Sequence, residues 1–545
     1  MALSRHPEPA LAPQIDGFGN NAMRITTRST VALRQFRQGM EQVYAFNESE
    51  AVRAFKAAWA TDPSCAMCAW GIALQLGPTL VAPGQSDLGE ARRYVADAER
   101  AATALGDRER GLIEALSIRY GPGDVDPTIA AALDASVCSA AGEAKGVDKR
   151  AIAYAERMRL LSERFPDDPD ILALYAEAEM IATDEDWWND ETGKPGGRMG
   201  AVTDRLEAAL RTNPGHTGLN HYMIHAADSR TVARRAEAAS DRLGSLAPKS
   251  PHLVHMPSHI YARLGRYGDA MRVNQTSLDA EGRLDAALAS QGFKSIKDWR
   301  GHDGQFLWYA ALMDGRGEVA LQAARDSAGR EAAVDSEIGE FVRARPLLTL
   351  LRLERWNELL AEPVASGDKG VARVVSQYAR GVAWARTGNA TGAAQALAAV
   401  EIDAASLEAA HSSDGYVDRL TRSLASVSRE RLRAEVAMVQ GRGDAALVSE
   451  LKAVDLARDL ESSEPPMLAA DAQLRLGDLQ MRMRRFSEAE QIYRDDLIQH
   501  PGSGWALRGL ARTLKAQGRV VEAADTQARL EQHWREADAR LLSSN

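Results

Sequence analysis

Three cysteines in 545 residues cannot build a disulfide framework, and Cys65 and Cys68 form one CxxC with no second CxxC to complete a four-thiolate zinc site. The chain also lacks any run of about 18 uninterrupted apolar residues, which excludes a transmembrane helix from the sequence reading. The formal charge is −10 with acids and bases interspersed. No basic block points to nucleic acid and no Lys/Arg-rich amphipathic segment points to a membrane surface. There is no glycine-rich phosphate loop in a strand-to-helix setting, no GxSxG elbow and no HExxH. The opening stretch MALSRHPEPALAPQIDGFGN has three prolines and no apolar core, so it is not a signal peptide as given. The expectation is a soluble, cytoplasmic protein, periplasmic or exported if a leader has been removed.

What is present is helical. Alanine, leucine and arginine dominate and β-branched residues are sparse, a balance that favours helix over strand. Residues 477 to 523 carry a repeat: Gly477, Ala489 and Pro501 are spaced by twelve, and Ala511 and Ala523 take the first two places again 34 residues on. Gly39, Ala51, Phe55, Ala58 and Pro63 fit the same register, as do Gly381 with Ala393, and Ala270. This is the pattern of the tetratricopeptide repeat, a helical hairpin in which small residues mark the close crossing and proline ends the second helix. The sequence therefore predicts an all-α fold: an N-terminal arm over 1–28, then one α-solenoid over 29–545, curled into a closed superhelix, with a histidine-rich central part at about 170–320. Loops fall at 77–87, 120–128, 184–200 and 362–370.

Only eleven histidines occur, and five lie in two short windows, TGLNHYMIHAADS and SPHLVHMPSHIYA. His221 and His225 are four apart; His255 and His259 repeat that spacing 34 residues later, at the same two repeat positions. Residues i and i+4 share a helix face with Cβ atoms roughly 5–6 Å apart, and packed helices lie about 8–10 Å apart. Four imidazoles on that grid can converge on one metal ion or line a site for two. His252, His302 and Tyr309 fall at positions that lean toward the same groove, and Glu177 lands on an earlier first helix where a carboxylate would serve as ligand or acid/base. Neither pair carries the glutamate of HExxH, since residue 222 is Tyr and residue 256 is Met. The 184–200 loop is about twice the usual length for a hairpin connection; Trp187 and Trp188 in it offer apolar faces that suit a lid over the groove. Cys65 and Cys68, at a junction between helices and outside any βαβ setting, read as a local disulfide or as buried thiols.

As a set, the segments FNESEAVRAFKAAWATDPSCAMCAWGIALQLGP, NHYMIHAAD, HLVHMPSHIYARLGRYGDA and HDGQFLWYAALMDGR resemble a family of long bacterial tetratricopeptide proteins with CxxCxWGxAxxxGP and HxxHMPSHIxxRxG motifs. The resemblance spans nearly the whole chain, and many members look exported. Two positions depart from it: Thr79 and Asp303 stand where asparagine is usual. It implies the fold and the importance of the histidines, and gives no substrate.

The functional expectation is a metal-dependent enzyme in the concave groove. A divalent transition metal (Cu, Fe or Zn) would be held by His221, His225, His255 and His259, with His302 and Glu177 as catalytic groups. His252, Trp187, Trp188 and Tyr309 would line the pocket of a small organic substrate. Oxidoreductase chemistry is favoured over a hydrolase or lyase, because no general base is placed for a hydrolytic water. The rival is a tetratricopeptide scaffold that binds a peptide or protein partner.

Overall fold

In the computed structural model the chain is all-α. Among the described residues there is no strand, only an isolated bridge between Trp188 and Pro195. The structure describes all residues except 1–10, 81–87, 103–104, 121–148, 184–186, 332–335, 364–369, 462, 469–470 and 544–545. Cys138, most of the loop expected at 120–128, and parts of the other three expected loops lie outside the described residues.

Helices pair as antiparallel hairpins, and the sequence register explains why. Pro63, Pro214 and Pro501 each follow a second helix, Glu48–Thr61, Met199–Thr212 and Phe486–Gln499. The residues before them, Asp62, Asn213 and His500, have left helical geometry (ψ 89, 55 and 76), as the proline ring demands of its neighbour. Ala51, Ala270, Ala320, Ala393 and Ala489 are fully buried where the hairpin helices cross. A Cβ on Gly39 or Gly71 would meet the Phe55 ring at 2.4 or 2.6 Å, and one on Gly477 or Gly509 would meet the Tyr493 ring at 2.8 or 2.3 Å. One aromatic ring thus occupies the space vacated by two glycines on successive first helices. Truncating Phe55 would cost about 3–5 kcal/mol.

The chain divides into two compact units, Met1–Arg263 with Thr276–Trp299, and Leu264–Gln275 with Arg300–Asn545. Where the sequence pattern runs as one array from 29 to 545, the division falls inside the helix Tyr267–Ser290.

In the first unit the hairpin array curls back on itself. The first helix, Thr30–Tyr44, packs against Thr217–Ala226. The Tyr44 ring fills the space beside Gly218, where a Cβ would lie 2.7 Å from it, and its hydroxyl donates to Asp170 (2.9 Å). The N-terminal arm is laid over these helices: Phe18 and Met23 are buried, Thr26 donates to Glu109 through both backbone N–H and hydroxyl (2.6 Å each), and Lys249 N–H donates to the Gly17 carbonyl. The second unit closes in the same manner. The indole N–H groups of Trp505 and Trp534, in its last hairpin, donate to the carbonyls of Leu312 and Met313 at the end of the helix Arg300–Met313.

Candidate metal centre

The helix Thr217–Ala226 begins at His216, whose Nδ1 accepts the Leu219 N–H (3.1 Å) while its Nε2–H donates to Asp170 (3.2 Å). Both ring nitrogens are used, which makes His216 a helix cap. One turn on, His221 is fully buried. Its Nδ1–H donates to the carbonyl of Tyr44 (2.7 Å), one of the acceptors a helix C-terminus leaves unpaired. That bond fixes the tautomer and leaves the lone pair on Nε2. The Nε2 of half-buried His225 lies 3.0 Å away.

The second window departs from a single helix. Pro257 has no N–H to return to the Leu253 carbonyl, so the segment splits into Pro251–His255 and Pro257–Arg263. His255 and His259 still meet across the break, Nε2 to Nε2 at 3.0 Å. The Nδ1–H of His259 donates to Asp228 (2.9 Å), which also accepts from Arg263 Nε (3.0 Å).

His252 stands within reach of both windows. Its ring lies 5.0 Å from that of His221, 6.4 Å from His225 and 6.2 Å from His255, and it stacks on Phe46 (5.2 Å) and Trp299 (4.1 Å). It is 3% exposed, and neither ring nitrogen has a hydrogen-bond partner among the described residues. Ligand nitrogens of His221, His225 and His252 all lie within 4.8 Å of one another. Burial, then neighbouring histidines, holds His221 and His252 well below the ordinary histidine range, so both are neutral at pH 7 and present lone pairs.

Phe46 supplies an apolar wall, with its ring 4.5 Å from His221 and 5.4 Å from His225. It ends the first helix in a left-handed conformation, φ +51. Its N–H donates to Val43 and that of Asn47 to Gln42, the paired bonds of a Schellman turn. Equivalent turns elsewhere place Gly315, Gly388, Gly441 and Gly518 at this position, and in two others Glu354 and Arg484. A phenylalanine there carries strain that glycine would not.

The other sequence candidates are placed as follows. Glu177 is buried on the helix Pro169–Ala182, where burial raises its carboxyl pKa against the pull of Arg119 and the Tyr222 phenol. It lies near Tyr222, the chain neighbour of His221, and stands outside the group of His221, His225 and His252. Glu179 faces elsewhere, paired with Arg198 (2.8 Å). Trp187 and Trp188 are half-buried, and the Trp188 indole donates to the carbonyl of Ala226 (2.7 Å), next in chain after His225. Asp190 of the same loop accepts from Ser229 and Arg230, so the loop is clamped to the end of the histidine helix. His302 and Tyr309 belong to the second unit, His302 edge-on to Phe306 (5.1 Å) and Tyr309 edge-on to Tyr267 (6.2 Å). Cys65 and Cys68 form a disulfide at the start of the helix Ala66–Gln75. Trp70 on that helix is buried and donates to the Leu112 carbonyl.

Sequence reasoning missed Phe46, Asp228, Trp299 and the Tyr44 carbonyl. Asp228 had one local signal, a carboxylate seven residues after His221; the other three reach the site only through the fold.

No family model matches the chain, and no curated protein matches it. Among solved structures it is similar to the human IFIT1 dimer with m7Gppp-AAAA, at 12% identity over 94% of this chain and 92% of that one, TM-score 0.29. It is also similar to the APC/C hetero-tetramer Cut9–Hcn1, at 10% identity over 94% of this chain and 89% of that one, TM-score 0.25. At these scores the likeness is between long helical chains, and no ligand or partner passes from them to this protein. Among the described residues no helix is long and apolar enough to cross a membrane.

Proposed function

We propose that this helical-repeat protein is a histidine-ligated transition-metal enzyme, an oxidoreductase for a small organic substrate. One observation carries the reading: three imidazoles with ligand atoms within 4.8 Å of one another, one of them buried with both nitrogens unpartnered among the described residues. A buried polar atom without a partner costs free energy, and a bound cation would remove that cost. The Nδ1–H bonds of His221 to a carbonyl and of His259 to a carboxylate are the outer-shell contacts that orient metal-ligating histidines. Three protein ligands leave a coordination position for substrate or water, the arrangement of a catalytic rather than a structural site. An all-nitrogen set suits Cu, Fe or Zn. Cu or Fe would supply redox chemistry; Zn would make the protein a hydrolase or lyase, for which no general base stands beside the histidines in the HExxH manner.

Metal analysis of the purified protein tests the proposal. The wild type is expected to carry Cu, Fe or Zn, and the His221→Ala/His252→Ala variant to lose it while keeping its helical circular dichroism. A wild type that arrives without metal and takes up none of the three at neutral pH would overturn the proposal.

A second reading has its own observation. In the second unit the second helices of several hairpins expose apolar residues: Ile402, Val448, Ile498, Val520 and Val521 are 59–76% exposed. Such a surface suits a protein partner. The scaffold reading gains if substituting these residues with Ser or Lys abolishes a cross-linked complex that the histidine variants retain.

A further inference from the structure

We infer that the histidine run of the first unit holds two metal ions. The inference rests on the metal reading above and concerns its stoichiometry.

Two nitrogens bound to one ion at about 2.05 Å stand roughly 2.9–3.4 Å apart when adjacent and at most about 4.1 Å apart when opposite. His221 Nε2 and His225 Nε2, at 3.0 Å, have the spacing of adjacent ligands; so do His255 Nε2 and His259 Nε2, at 3.0 Å. The four do not share one ion: the group within 4.8 Å that holds His221 and His225 is completed by His252, and His255 and His259 fall in a separate group. Each pair also has its own orienting contact. His221 is held by the Tyr44 carbonyl, and His259 by the Asp228 carboxylate, itself fixed by Arg263. In both cases the contact takes Nδ1–H and turns the Nε2 lone pair toward the other member of its pair. A chain that needed one ion would have no use for this arrangement twice.

The two positions differ in kind. The first has three imidazoles, one of them with no other use for its nitrogens among the described residues. The second has two imidazoles from this unit and a carboxylate behind one of them, which makes that ligand the more basic. The first position thus draws on imidazoles alone, and the second has a carboxylate oriented on one of its ligands.

Titration of metal-free, full-length protein with Co(II) alone tests this, read by visible absorption and by metal content after gel filtration. Two equivalents are expected. His255→Ala/His259→Ala and His225→Ala/His252→Ala are each expected to bind one equivalent, with visible absorption that differs between the two variants and sums to that of the wild type. The milder His255→Asn/His259→Asn, checked by melting temperature, replaces the alanine variant if that one fails to fold. One equivalent in the wild type, lost equally in both double variants, would overturn the two-ion inference and leave the metal reading standing. No uptake of Co(II), Cu(II), Fe(II) or Zn(II) would overturn both.

Discussion

Phe46 sets a bulky ring on a backbone conformation suited to glycine, and does so where that ring touches His221, His225 and His252. At an ordinary helical position glycine is less stable than alanine by about 1 kcal/mol. At this turn the order should invert: Phe46→Gly relieves the left-handed strain and should be more stable than Phe46→Ala by roughly 1 kcal/mol, both falling below wild type through the lost ring. Urea unfolding of the two variants checks the ranking, and weaker metal binding in Phe46→Gly would show that the ring acts on the histidines as well as on the fold. Glu41 makes a separate prediction, away from the histidines. Burial pushes its carboxyl up to about 7, against the Asn21 N–H that it accepts. The proton is held more tightly in the folded chain than in the unfolded one. The group's contribution is thus complete below about 4.5 and is lost as pH rises through about 7. Glu41→Gln should match wild type at pH 4 and exceed it by roughly 1–2 kcal/mol at pH 8, a modest figure because the side chain is partly solvated.

At the scale of the element, the segment around Trp188 is a candidate gate because of what it is tied to. Its indole bonds the last carbonyl of the histidine helix, and Asp190 bonds the backbone just beyond. Trp188→Phe keeps most of the apolar face and removes one hydrogen bond, worth about 0.5–1.5 kcal/mol. The expected result is a small loss of melting temperature with a several-fold faster release of metal to a chelator. An unchanged release rate would make the loop a clamp for the helix end alone. How far the sequence reveals these elements depends on the range of the interaction. The 34-residue offset of the two histidine pairs is a local regularity, and the structure does bring each pair together. The same regularity treats the second window as one helix, yet Pro257 divides it. It assigns His252 to the pocket wall, although its ligand nitrogen lies within 4.8 Å of those of the first pair. Pitch alone cannot fix a ring's direction when a proline resets the helix five residues later.

For the molecule as a whole, metal and protons should act on the first unit selectively. At about 100 times its dissociation constant a metal adds about 2.7 kcal/mol to the stability of whatever binds it. Hydrogen exchange should therefore slow in Thr217–Arg263 and remain unaltered in a hairpin such as Phe486–Ala516. Without metal, acid should weaken the first unit. His221 and His252 resist protonation when folded and accept it when unfolded, so stability falls as pH drops below about 6.5, by about 1.4 kcal/mol per histidine per pH unit. Guanidinium melts at pH 7.0, 6.0 and 5.5 check the slope, and metal at neutral pH should restore what the apo protein lacks. The fold class was legible because alanine, glycine and proline recur in register. The curling of the array was expected, but its partners were not readable: no local pattern tells Tyr44 that it will meet His221.

That last contact also has a consequence in time. The Tyr44 carbonyl and His221 are 177 residues apart in the chain. At roughly 5–20 residues per second, a ribosome delivers the second about 10–35 s after the first. Until then the Schellman turn exists with nothing to orient, and His221 has no fixed tautomer. Any metal uptake by the proposed centre would therefore follow the closing of the first unit, and a nascent chain stalled before His259 should emerge with its repeats formed and its histidine cluster incomplete.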